Sequence, residues 1–146
     1  EIEELYTGVA DLVAAVPGIN WVDEDFGQLD DFNARPAVAF PCALISIDFP
    51  QIADLGQKKQ KPTVLINIKI GLNYAGETAH ATPEAVRNRA LEYYALVKEV
   101  YKKLHGQRIG TSQLKRIAQT TTARPDRIRI VEMPFRTDFI DASAAD

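Results

Sequence analysis

The stretch TVLINIKIGLNY, residues 63–74, decides how this chain folds. Its even positions are Val64, Ile66, Ile68, Ile70, Leu72 and Tyr74, and its odd positions are Thr63, Leu65, Asn67, Lys69, Gly71 and Asn73. A period of two is the signature of a strand with one face buried. The even face must be roofed by another layer. The odd face is polar, and it raises the functional question of whether it meets water, a ligand or another chain.

Working outward, FPCALISIDF (residues 40–49) is a nearly continuous apolar run, which suits a central strand covered on both faces. Between the two lies PQIADLGQKKQKP, read as a long connector, residues 50–62, with proline at both ends. INWVD (19–23) is expected to form a short strand, followed by an acidic, glycine-containing loop. Downstream, QLKRIAQTTTA (113–123) alternates and is rich in threonine. RIRIVEMPFRTDF (127–139) shifts its apolar phase near Ile130 and Val131, which predicts a β-bulge there. Pro134 lacks an amide hydrogen and predicts an edge position at that point.

Two segments have helical spacing. In EIEELYTGVADLVAAVPG, Leu5, Val9, Leu12, Val13 and Val16 form one stripe, acids stand at the start, and Pro17-Gly18 stops the helix. The second helix is expected over 83–105, with Thr82 as N-cap, Pro83 at the first position and Gly106 just beyond the end. Its stripe is Val86, Ala90, Tyr94, Val97, Tyr101 and Leu104, widened by Tyr93, Leu91 and Val100. The order α-β-β-α-β-β implies an α+β fold, a mainly antiparallel sheet of about four to five strands with two helices on one face. Residues 1–146 are read as a single domain, with 142–146 as a frayed tail.

Composition narrows the function classes. A chain of 146 residues buries roughly 70% of its unfolded surface and needs no staples. A net charge of −3 argues against a dedicated nucleic-acid binder. The single cysteine, Cys42, excludes an intrachain disulfide, and no secretory signal pattern is visible, so synthesis in a reducing cytoplasm is expected. No apolar run has membrane-spanning length.

No constellation for catalysis emerges. Cys42 sits in an apolar strand and is read as a buried, inert thiol. His80 and His105 show no metal-ligand spacing, and His105 suits the C-terminal end of a helix dipole. The acids Asp23, Glu24, Asp25, Asp30 and Asp31 do not follow the calcium-loop pattern and read as a solvated loop or a patch for a basic partner. Trp21, Phe26, Gln28 and Arg35 are residues that shape pockets, without a convergence that requires one. The sequence therefore offers no catalytic, cofactor-binding or metal-ligating residue. QKKQK (57–61) is a small basic tip whose charges would add if copies pointed at one axis.

The element order, together with INWVDEDFGQLDDF, RPAVAFPCALISIDF, QKKQKPTVLINIKIGLNY and IRIVEMPFRTDF, resembles the tail-terminator and tail-completion (neck) proteins of tailed bacteriophages. The similarity of layout runs over residues 2–140 and includes no signature motif. It implies a non-enzymatic virion protein, assembled in the bacterial cytoplasm, that forms a homo-oligomeric ring, favoured as a hexamer. Such a ring ends the tail tube and joins it to the head, with tail-tube and head-connector proteins as partners, non-specific contact with DNA in the lumen, and no membrane. Terminator, connector and other neck roles remain open alternatives. Interface candidates come from the faces and loops themselves: Lys58, Lys59 and Lys61 on the connector, and Asn67, Lys69 and Asn73 on the odd face. The alternative function is a small-molecule-binding or regulatory α+β domain with Trp21, Phe26 and Tyr74 around a pocket. A metal-dependent hydrolase using the 23–31 acids ranks third.

Overall fold

An apolar strand face has to be covered, and two helices cover this one. The computed structural model describes residues 2–31, 36–73, 83, 84, 88, 91–109 and 112–145. The opening strand becomes β3 (Lys59–Leu72), between β2 (Cys42–Gly56) and β6 (Arg129–Asp138). Val64, Ile66, Ile68 and Ile70 are fully enclosed. Against them pack α1 (Ile2–Ala14), through Leu5, Val9 and Val13, and α2 (Glu92–Leu104), through Tyr93, Val97, Val100 and Leu104. Both stripes follow the spacing of a helix that buries one face.

The sheet has six strands in the order β1-β2-β3-β6-β4, where β1 is Trp21–Glu24 and β4 is Lys115–Arg116, while β5 (Thr120–Ala123) also pairs with β6. The fold is α+β as expected, but the sheet is mixed, because β1 lies parallel to β2. A parallel neighbour needs a long return connection. Of that return, residues 25–41, the described parts lay Leu29, Val38 and Phe40 on the odd face of the sheet.

Several local expectations are corrected. Residues 50–62 are not a loop: β2 and β3 pair from Cys42↔Gly71 out to Gly56↔Lys59, leaving a two-residue turn. Gln57 and Lys58 both take positive φ, 55° and 64°, the conformation of a type I′ hairpin turn. Pro62 does not interrupt β3. Gln60 exchanges backbone hydrogen bonds with Asp141, away from β2, and strand alternation aims the amide that Pro62 lacks the same way. Asp141 leads into a 3₁₀ turn at Ser143–Ala145.

The segment 113–123 is not one strand. β4 and β5 are separate, and their registers on β6 differ by one residue across 117–119. The predicted bulge in β6 is absent, since β6 runs in unbroken register with β3 from Arg129 to Asp138. Its phase shift has another cause: Val131 enters the helix-side core while Ile130 packs on the opposite face. Pro134 is not on an edge strand, because β6 is flanked on both sides. Its carbonyl accepts from the Ile117 amide, so its missing donor faces the break between β4 and β5.

The second helix is not continuous from 83. Glu84 and Asn88 are helical, Leu91 is in a turn, and α2 starts at Glu92. Within α2 the buried stripe runs through Tyr93, Val97, Val100 and Leu104, and Tyr94 falls outside it. Gly106 takes φ +87° beyond the helix end. Tyr74, His80, Thr82, Val86, Ala90 and Arg35 lie outside the described residues.

Candidate assembly interface

The odd face divides into a covered half and an open half. At the covered end, Leu29 from the β1–β2 return is buried with Cys42 and Leu44, and Val38, Phe40 and Ile130 pack around them. Gly71 makes this close approach possible. A Cβ there would stand 2.7 Å from Cys42 Sγ and 2.9 Å from Leu29 Cδ1. The chain therefore supplies a partial third layer that the alternation of 63–74 did not reveal.

Beside Leu29, the return places two carboxylates over Lys69. The Lys69 ammonium lies 3.1 Å from Asp25 and 3.8 Å from Asp30. Burial alone would push this ammonium's pKa down. The hydrogen bond to Asp25 and the charges of Asp25, Asp30 and Glu132 outweigh burial and hold it above its ordinary value. One register step along, Asn67 donates to Glu132 at 3.0 Å. Lys69 and Asn67 thus have partners within the chain. Of the acidic stretch, Asp25 and Asp30 belong to this layer, Asp25 also accepting from the Gly27 amide, while Asp23 and Glu24 lie in β1, where Asp23 accepts from the Glu24 amide. No group of three or more potential metal-ligating side chains occurs among the described residues.

Beyond Asn67 the face opens. Thr63, Leu65 and Pro134 are half-buried there, while Asp48 and Arg136 are exposed. At its margin, Lys115, Ile117, Arg136 and Thr137 line a groove of about 380 Å³. Thr137 is anchored by Ser112, to whose carbonyl it donates at 2.9 Å. From the same end of the sheet the β2–β3 hairpin projects as an arm. Every residue from Gln51 to Lys61 is exposed. Lys58 occupies its turn and Lys59 follows, while Lys61 approaches Asp138 at 4.0 Å. Asn73 is exposed at the other end of β3.

Residues that periodicity passed over matter here. Ile52 and Leu55 on the arm and Ile117 at the strand break are each about half exposed. The arm's only sequence signal was Gly56 preceding Gln-Lys, a turn without the asparagine that usually announces a hairpin.

The residues weighed for chemistry sit elsewhere. Cys42 is fully buried, and burial pushes its thiol pKa up to about 11. His105 Nδ1 accepts from the Arg116 amide at 3.1 Å. Trp21 and Phe26 are exposed, and the Gln28 side chain bonds the backbone of its own loop at Phe26 and Glu24. An apolar cleft of about 380 Å³ lies away from them, between the 17–18 turn and α2, with Pro41, Leu72, Tyr93 and Leu96 in its walls. Among the described residues, no helix is long and apolar enough to cross a membrane.

No family model matches the chain, and no curated protein matches it. Among solved structures, it is similar to a chain from the virion of a native gene transfer agent particle. That likeness covers 96% of this chain and 91% of the other, with 16% identity and a TM-score of 0.47. Figures this low carry no argument about function.

Proposed function

We propose that this chain is a non-enzymatic structural subunit of a phage or prophage tail or neck. It assembles into a homo-oligomeric ring, favoured as a hexamer, that terminates the tail tube and joins it to the head. The observation that carries this reading is the pairing, on one subunit, of a projecting hairpin arm with an open, partly apolar sheet face. Two different surfaces on one molecule make heterologous contacts, which close into rings when the rotation permits. The layout resemblance in the sequence supports the same assignment, and the order of elements agrees with it. Lys58 and Lys59 at the arm tip would gather around a common axis in such a ring. Their summed charge favours non-specific contact with DNA in a lumen.

Light scattering after size exclusion, across a concentration series and at two salt levels, tests the reading. The expected result is a discrete species near six subunits that accumulates with concentration. A monomer at every concentration, with no binding to tail tubes, overturns it.

A second reading, a small-molecule-binding domain, has one observation in its favour: the apolar cleft between the 17–18 turn and α2. A thermal-shift screen of apolar amines, which would meet Glu92 and Glu99 at its rim, checks this. Stabilisation abolished by Leu96→Trp supports binding there.

A further inference from the structure

We propose that the hairpin arm of one copy seats in the groove beside β4 of the next, with Ile52 and Leu55 against Ile117 and with Asp54 facing Lys115 and Arg136. The inference rests on the ring reading and names the contact through which the ring closes.

Three observations select this occupant. The first is charge. The arm carries Asp54 on its β2 side and Lys58, Lys59 and Lys61 in its turn and β3 side, while residues 112–119 carry Lys115 and Arg116 and no acid. Arg116 is already stacked on the Tyr101 ring, 3.7 Å from its centroid, so Lys115 and Arg136 supply the groove's positive charge, with Asp138 as the acid in the same lining. Opposed patches of this kind fix the register of an interface and exclude like-charged alternatives.

The second is apolar surface. Ile52 and Leu55 are exposed on an arm, and Ile117 is exposed where the outer strand breaks. Each is unremarkable alone. Together they give the arm and the groove matching apolar centres with charged margins, the layout of an interface core and its rim.

The third is the open edge of β2. β1 covers it only from Cys42 to Ile45. Among the described residues, no strand pairs with its outer side from Ser46 onward. A long bare edge is a template for another chain unless it is covered. Within one chain, β3 and β6 stand between β2 and β4, so the arm's partner groove belongs to a neighbour.

Disulfide trapping tests the contact. Leu55→Cys and Ile117→Cys proteins are made separately, mixed and oxidised; Cys42 is enclosed and stays out of the reaction. A mixed disulfide dimer, and a ladder ending at the ring size from the doubly substituted chain, is the expected result. In parallel, Asp54→Lys weakens assembly at least tenfold, and adding Lys115→Asp restores it, which shows that the single variant had folded. Oligomers in light scattering without the mixed disulfide, or with only Leu55–Leu55 pairing, overturn the arm contact and leave the ring reading standing. A wild-type chain that stays monomeric and binds no tail tube overturns both.

Discussion

The ammonium of Lys69 lies 3.1 Å from the carboxylate of Asp25, tying the β1–β2 return to the sheet face that strand periodicity leaves bare. Both side chains are 15% exposed, so the pair is shielded from most of the solvent that weakens surface ion pairs. Asp30 approaches the same ammonium from an exposed position.

Lys69→Met removes the cation and leaves two carboxylates facing an apolar side chain. The expected cost is about 1.5–3 kcal/mol, the range for hydrogen bonds to charged groups. Because the folded state raises the pKa of Lys69, its contribution is fully present below the unfolded value near ~10.4 and fades as pH rises through the folded value. Urea unfolding at pH 7 and above pH 10.5 checks this. The gap between variant and wild type should narrow at the higher pH.

Gly71→Ala is expected to destabilise although the added group is one methyl. The new Cβ meets Cys42 Sγ and Leu29 Cδ1 at distances that real contacts avoid, and Cys42 is too short to swing aside. Overpacking of this kind costs about 1–3 kcal/mol. Gly71→Ala combined with Leu29→Ala should lose less stability than the two single changes added together, because the second removes one of the clashing atoms. Denaturant midpoints for the three variants test this coupling.

The Cys42 thiol, enclosed and with its pKa pushed up to about 11, is expected to resist a water-soluble disulfide reagent at pH 8 in the folded protein. In concentrated urea the same thiol should react fully within minutes. Rapid labelling of the native protein would mean that the Leu29 layer opens readily.

The arm turns on Gln57 and Lys58, two side chains held at positive φ. Gln57→Asn with Lys58→Gly places the residues that favour this turn and is expected to stabilise the arm, since glycine relieves the left-handed strain that costs a side chain about 1–2 kcal/mol. Circular dichroism during thermal unfolding reads the gain. Unchanged ring assembly in this variant would show that subunit pairing does not need the Lys58 charge.

The period of two in residues 63–74 and the helical stripes of α1 and α2 were legible because each reports a single buried face. Val64, Ile66, Ile68 and Ile70 could only be a roofed strand face, and Leu5, Val9 and Val13 could only be one side of a helix. The threonine-rich 113–123 and the prolines misled locally. Whether Pro62 and Pro134 break a strand depends on which neighbour their missing amide would have met, and that neighbour is distant in sequence.

Exposure of the candidate interface residues was legible only on the arm and at the end of β3. Lys58, Lys59, Lys61 and Asn73 do stand exposed, whereas Lys69 and Asn67 meet Asp25 and Glu132 of their own chain. The sequence by itself determined the α+β class, the buried face of β3 and the burial of Cys42, because those follow from the pattern of apolar side chains along short stretches. Only the tertiary structure decided that residues 50–62 extend the hairpin, that β1 runs parallel to β2, and that Leu29 lies on Gly71. Each of these depends on which distant backbone supplies a hydrogen bond or which distant side chain fills a space, and local periodicity carries no record of either.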